Sequence, residues 1–261
     1  MRNEYLETAK GQIHNRHLAA NSQETQRPLL CLHPSPYSGL FFTTIMPLLN
    51  KHRRVLAPDY PGYGGSYALG NEPSIGTYAE ALTEAFSSES EYDVLGFHTG
   101  CLVGVELAVS QATKVKNLIL VDVPYFTGDT QAGLFKKMTK PLALEPDLSC
   151  LETTWDFNVT KKMGLVPMER AFDMFLENLR PGTKDYYAFH AAFSYDCEGM
   201  FGQVDVPTTV VATRSGLLDA THECAKQINQ AELIDEMDIT SAVFETGARR
   251  IAEIISTRLD N

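Results

Sequence analysis

The sequence predicts an α/β protein built on a mostly parallel, twisted sheet flanked by helices, and three observations predict it. First, short apolar runs bounded by turn residues alternate with helix-periodic segments over residues 29–121 and again over 208–258. Such alternation marks βαβ units, in which a crossover helix returns the chain so that the next strand lies parallel to the last. Second, the alternation lapses over 124–202, where the chain is aromatic-rich and reads as helical. Third, 261 residues with 44% hydrophobic and 21% charged content suffice for a sizeable core and exclude wholesale disorder.

In chain order, residues 3–20 read as a hairpin at the sheet edge, with Lys10-Gly11 as its turn. The run 29–33 is a buried strand closed by Pro34-Ser35-Pro36. A helix is expected over 40–50 in spite of Pro47, then a strand over 55–57 and a turn-rich loop over 58–66. The next helix fits 77–87, where Tyr78, Ala81, Leu82 and Phe86 recur at helical spacing. A strand at 92–95, a helix at 99–111 and a strand at 118–121 follow. After the lapse come a strand at 208–212, a helix at 220–229, a strand at 232–234 and a final helix at 244–258.

Charge and cysteine usage exclude several function classes. Lys and Arg number 22 against 33 Asp and Glu, a net charge of −11 with no basic cluster, so neither a nucleic-acid nor an anionic-membrane partner is expected. The apolar runs are too short to span a bilayer. The five cysteines are scattered with no metal-ligand spacing, so reduced thiols, a cytoplasmic location, and neither metal nor cofactor are expected. The N-terminal stretch is too polar for a signal peptide. A small molecule is the expected partner.

Three loops fall at the C-terminal ends of successive strands, where open α/β sheets place their ligands. They are His33-Pro34-Ser35-Pro36, Asp59-Tyr60-Pro61-Gly62-Tyr63-Gly64-Gly65-Ser66 and Gly96-Phe97-His98-Thr99-Gly100. In the third, glycines at both ends let strand and helix approach closely and force the central residue into a strained backbone, which lifts its side chain toward the pocket. Together these loops resemble those of the α/β-hydrolase superfamily over essentially the whole chain. The first stands where that family has its oxyanion loop, the second matches its Asp-x-x-Gly-x-Gly-x-Ser pattern, and the third matches its nucleophile elbow. The resemblance implies an α/β-hydrolase core of residues 1–123 and 203–261, with a helical cap over 124–202.

The departures from the family pattern matter as much. The elbow position carries His98 rather than Ser, Asp or Cys, no acid directly follows the 208–212 strand, and no histidine follows His222. An ordinary Ser–His–Asp esterase is therefore not expected. His98 is the candidate catalytic base or acid. Asp122, ending the fourth strand of the 29–121 series, either orients an imidazole such as His98 or caps the following loop. The amides of Ser35 and Thr99 are the candidate oxyanion donors, since both prolines flanking Ser35 lack an N–H.

His33, Pro34 and Tyr37 from the first loop, Tyr125 after the fourth strand, and Trp155 and His190 from the insertion are the expected substrate-binding residues. For His33 the alternative is a strand-end histidine that holds its loop; for the aromatics it is the insertion's own core. Cys101 reads as a small packed hydrophobe rather than a displaced nucleophile. Two functions remain open from sequence. One is a small-molecule enzyme of non-standard hydrolase or proton-transfer chemistry, lyase- or isomerase-like, using His98 and a backbone oxyanion hole. The other is an inactive homologue that binds a ligand or a protein partner.

Overall fold

A computed structural model describes residues 1–260. The chain opens with a hairpin of β1 (Arg2–Thr8) and β2 (Gly11–Leu18), whose antiparallel register pairs Arg2 with His17 and Thr8 with Gly11. Next come β3 (Leu29–Leu32), a 3₁₀ turn at Gly39–Phe42, the one-turn helix α1 (Met46–Leu49) and β4 (Val55–Pro58). Then α2 (Ile75–Ala85), β5 (Tyr92–Phe97), α3 (Thr99–Ser110) and β6 (Val115–Val121) complete the first half. Between β6 and β7 run α4 (Gly128–Met138), α5 (Ser149–Asn158), α6 (Met168–Leu179), α7 (Tyr187–Phe193) and α8 (Cys197–Phe201), with no strand among the described residues. The fold closes with β7 (Thr208–Thr213), α9 (Leu218–Gln227), β8 (Glu232–Glu236) and α10 (Ala248–Leu259).

All eight strands form one sheet in the order β1-β2-β4-β3-β5-β6-β7-β8, in which only β2 runs antiparallel to its neighbours β1 and β4. Side chains alternate between two buried faces, which explains continuous apolar runs such as Leu29–Leu32 in β3 and Leu118–Val121 in β6. Leu30, Leu32, Val94, Leu118, Leu120 and Val210 face a core built with α2, α3 and parts of α7 and α8. Their neighbours Leu29, Cys31, Leu95, Ile119, Val121 and Val211 face a second core built with α1, α10 and Phe42. The sheet thus buries both faces, each against its own helices.

The helix expected over 40–50 is instead split into the 3₁₀ turn and α1. Proline is tolerated in a helix's first turn because its missing N–H is one of the orphans there, so the chain restarts at Met46 with Pro47 just inside. The final helix begins at Ala248 rather than 244, after a turn containing Ala242 at φ 49°. Helix α2 carries a reciprocal cap: Ser74 accepts from the Thr77 amide, and the Thr77 hydroxyl accepts from the Ser74 amide. Helices α5 and α6 have a small core of their own in Val159, Ala171 and Phe175. All five cysteines are free, and no described helix is long and apolar enough to cross a membrane.

Candidate functional site

The six parallel strands direct their C-terminal ends to one edge of the sheet, and a cavity of about 650 Å³ opens there. Its walls come from the loops after β3, β5, β6, β7 and β8, and from the helices between β6 and β7. His98 lines it from the turn joining β5 to α3. That residue sits at φ 49°, ψ −119°, a conformation that costs a non-glycine residue on the order of 1–3 kcal/mol. The two elbow glycines hold it there. A Cβ on Gly96 would lie 2.6 Å from the Gly100 carbonyl oxygen, and one on Gly100 would collide with the Leu32 carbonyl. Neither strand–helix approach tolerates a side chain.

The imidazole of His98 stacks against Phe97, ring centroids 3.9 Å apart, and makes no hydrogen bond within the described residues. Burial, with a smaller contribution from the nearby Lys162 ammonium, lowers its pKa to about 4. The ring is therefore neutral around pH 7. It is also the only histidine lining the cavity among the described residues.

The loop after β3 is pinned from behind. Because the Tyr60 amide donates to His33 Nε2 at 3.1 Å, the ring proton sits on Nδ1, which donates to the Pro34 carbonyl at 2.9 Å. Behind it, the Asp59 carboxylate accepts from Arg16 Nη1 at 2.6 Å and from the Gly39 and Gly65 amides at 2.8 Å, and it pairs with His14 Nδ1 at 2.8 Å. Burial pushes the Asp59 pKa up, but these donors outweigh it and hold the group below the usual carboxylate range. The Asp-x-x-Gly-x-Gly-x-Ser loop is thus a structural knot that ties β2, β4 and the first loop together. Supported this way, Ser35 reaches the cavity with its amide free of any acceptor and its buried hydroxyl unpartnered.

Asp122 also lines the cavity, at φ 50° just past the end of β6. Its two oxygens accept from the Thr213 amide at 2.9 Å and the Thr213 hydroxyl at 2.7 Å. Burial raises its pKa against the opposing hydrogen bonds from Thr213 and Ser215. It makes no hydrogen bond to His98.

A family model described as alpha/beta hydrolase fold matches residues 27–140. The structure superposes on a hydrolase from Pseudomonas aeruginosa PA01 with a TM-score of 0.83 at 18% identity, covering 99% of this chain and 98% of that one. An enol-lactonase from Burkholderia xenovorans LB400 aligns with a TM-score of 0.79 at 16% identity over 99% and 100% of the two chains. A bromoperoxidase from Bacillus anthracis gives 0.79 at 16% identity over 100% of both. This is an α/β-hydrolase-fold protein. No curated protein sequence gives a significant match.

Within the α/β-hydrolase-fold cavity, Pro34, Ser35, Tyr37, His98 and Asp122 come together. Thr99 is buried and does not line the wall; as the first residue of α3 its amide has no acceptor within the helix. Four expected substrate-binding residues lie elsewhere. His33 is fully buried behind its loop, stacked on Tyr60 at 3.9 Å, with both ring nitrogens engaged. Tyr125 is half-buried and packs edge-on against Phe201 of α8, at the margin of the core. Trp155 is 41% exposed and meets Phe172 and Phe175 on the outer side of α5 and α6. His190 faces Glu72 at 3.4 Å and Phe135, one turn face away from the lining residue Phe189.

Cys101 is buried, and its thiol donates to the Val121 carbonyl at 3.3 Å beneath the elbow; burial keeps it protonated. His222 pairs with Asp235 at 2.7 Å on the surface and does not line the cavity. Sequence reasoning passed over Thr213, Lys162, Asn158 and the loop residues Thr240 and Ser241, all of which line the cavity. The sequence Thr160-Lys161-Lys162 looks like an ordinary solvated charge pair, and nothing local marks one lysine as turned inward. Tyr37 closes one wall by donating to Asn158 Oδ1 at 2.6 Å, a contact between residues 121 apart that spacing alone does not reveal.

Proposed function

We propose that this protein is an enzyme acting on a small, partly apolar molecule, with the neutral imidazole of His98 as general base and the backbone amides of Ser35 and Thr99 as oxyanion donors. The observation that carries the reading is the elbow itself: a strained, unpartnered, neutral imidazole facing a cavity large enough for a metabolite-sized ligand. The helices between β6 and β7 act as the cap that encloses the substrate.

The position of the His98 pKa favours one reaction type. An imidazole with a pKa near 4 is fully unprotonated at neutral pH but is a weak base. It is poorly matched to unassisted water, whose pKa is about 15.7. It suits a carbon-bound proton already acidified by two flanking carbonyls, as in a β-diketone, with one carbonyl oxygen held by two amide donors. His98 then takes the proton at a ring nitrogen, and the electron pair moves onto the oxygen between Ser35 and Thr99. Proton-transfer chemistry of lyase or isomerase type follows, and hydrolysis is confined to activated esters or lactones.

A second reading has one observation in its favour. Asp122 is engaged by Thr213, so no acid orients the imidazole, which is compatible with a ligand-binding homologue without turnover. A panel of β-diketones, lactones and esters assayed with wild type and His98→Gln separates the two. Turnover reduced about a hundred- to ten-thousand-fold in His98→Gln supports the enzyme. Turnover undiminished in the variant removes His98 from the mechanism, and binding without turnover across the panel supports the second reading.

A further inference from the structure

We propose that Lys162 forms an anion subsite in the cavity, and that the small molecule bound there carries a carboxylate. The inference rests on the reading of the cavity as a small-molecule site, and it does not depend on what His98 does chemically.

Lys162 ends the 3₁₀ turn Thr160–Lys162 that follows α5. Its backbone is held in place, because its carbonyl accepts from the Leu165 and Val166 amides at 3.0 and 3.1 Å. The neighbouring Lys161 points outward and pairs with Asp156 at 2.8 Å. Lys162 instead turns inward, half-buried, with its ammonium 5.8 Å from the centre of the Phe157 ring. Among the described residues that line the cavity it is the only cation, and no carboxylate pairs with it.

The acids in the same walls are already committed. Glu245 accepts from Arg170 at 2.8 Å and from the Thr44 hydroxyl at 2.7 Å. Asp185 accepts from the Leu142 amide at 3.2 Å, and Asp122 holds Thr213. A partly desolvated ammonium without a counter-ion is unfavourable, and burial lowers the Lys162 pKa accordingly. A ligand anion removes that penalty.

The chemistry of the walls narrows the anion. Phe41, Phe97, Phe157, Phe189 and Phe244, with Val166, lend the cavity a mainly apolar lining, which suits an apolar body with one charged end. A single ammonium balances a monoanion such as a carboxylate. A phosphate dianion would keep one charge unbalanced, because the described residues lining these walls include no second cation. Lys162 and His98 line the same cavity, so one bound molecule can meet both.

The test measures binding rather than turnover. Aryl-alkanoates from benzoate to phenylbutyrate are titrated by calorimetry into wild type, each against its neutral amide, and the pairs are repeated with Lys162→Met, Lys162→Arg and His98→Gln. At least one acid should bind wild type about tenfold or more tightly than its amide, the scale of a charge-assisted hydrogen bond. The preference should vanish in Lys162→Met, survive in Lys162→Arg and survive in His98→Gln. No acid preferred over its amide in wild type, or a preference unchanged in Lys162→Met, overturns the subsite. A lost preference leaves the role of His98 standing, while turnover that survives His98→Gln refutes that role and leaves the subsite standing.

Discussion

Thr213 gives Asp122 two hydrogen bonds, one from its amide and one from its hydroxyl, and so joins the end of β7 to the end of β6 across 91 residues of sequence. The pair takes the carboxylate away from His98, which is left as a lone imidazole. Replacing Thr213 with valine removes the hydroxyl donor while keeping the shape. It should cost on the order of 1–3 kcal/mol, the penalty for a buried acceptor left unsatisfied. Urea unfolding measures the loss, and the His98 titration should not move; a shifted His98 midpoint contradicts the separation of the two groups.

The strain at the elbow has its own signature. Glycine relaxes at positive φ where alanine does not, so His98→Gly should be more stable than His98→Ala by about 1 kcal/mol, although it has the smaller side chain. Thermal unfolding of the two variants compares them directly. An alanine variant at least as stable as the glycine variant argues against backbone strain at this position.

Gly100 makes the opposite test of the same turn. Its missing Cβ would collide with the Leu32 carbonyl, a backbone atom that cannot rotate away. Gly100→Ala should therefore destabilise the fold by about 3 kcal/mol or more and perturb α3. A Gly100→Ala variant with wild-type stability is incompatible with so close an approach.

Two histidines are held neutral by burial, and this sets how the protein responds to acid. His33 and His98 each have a pKa lowered from 6.5 to about 4. Between those values the unfolded chain binds protons that the folded chain does not, so stability is fully present above 6.5 and is lost as pH falls toward 4. His33, which is fully buried, contributes on the order of 3 kcal/mol of this loss. Unfolding curves from about pH 7 to about pH 5 should show stability falling with pH, and His33→Gln should flatten the slope by one proton. A slope unchanged in that variant contradicts the buried neutral state.

Much of this arrangement is legible in the residues, and the limits have physical causes. Leu-Leu-Cys-Leu between turn residues announces a strand buried on both faces, and Gly96 and Gly100 around His98 announce the elbow, because each signal is local. The fate of Asp122 is not local: its position at a strand end is readable, but its partner lies 91 residues on and competes with His98 for the same oxygens. Residues of the helical insertion are hardest to place. An aromatic such as Trp155 serves the outer face of α5 while Phe157, two residues later, lines the cavity. Lys162 turns inward where Lys161 turns out, and adjacent identical side chains carry no signal of which does so.

The central claim is that the elbow presents a neutral, unpartnered imidazole to the cavity. Carbon-detected NMR titration of His98, assigned by comparison with His98→Gln, tests it most directly. The midpoint should lie near 4, well below the ordinary histidine value of 6.5. A midpoint at or above 6.5 would contradict the claim, because it requires a carboxylate partner or open solvent at the elbow.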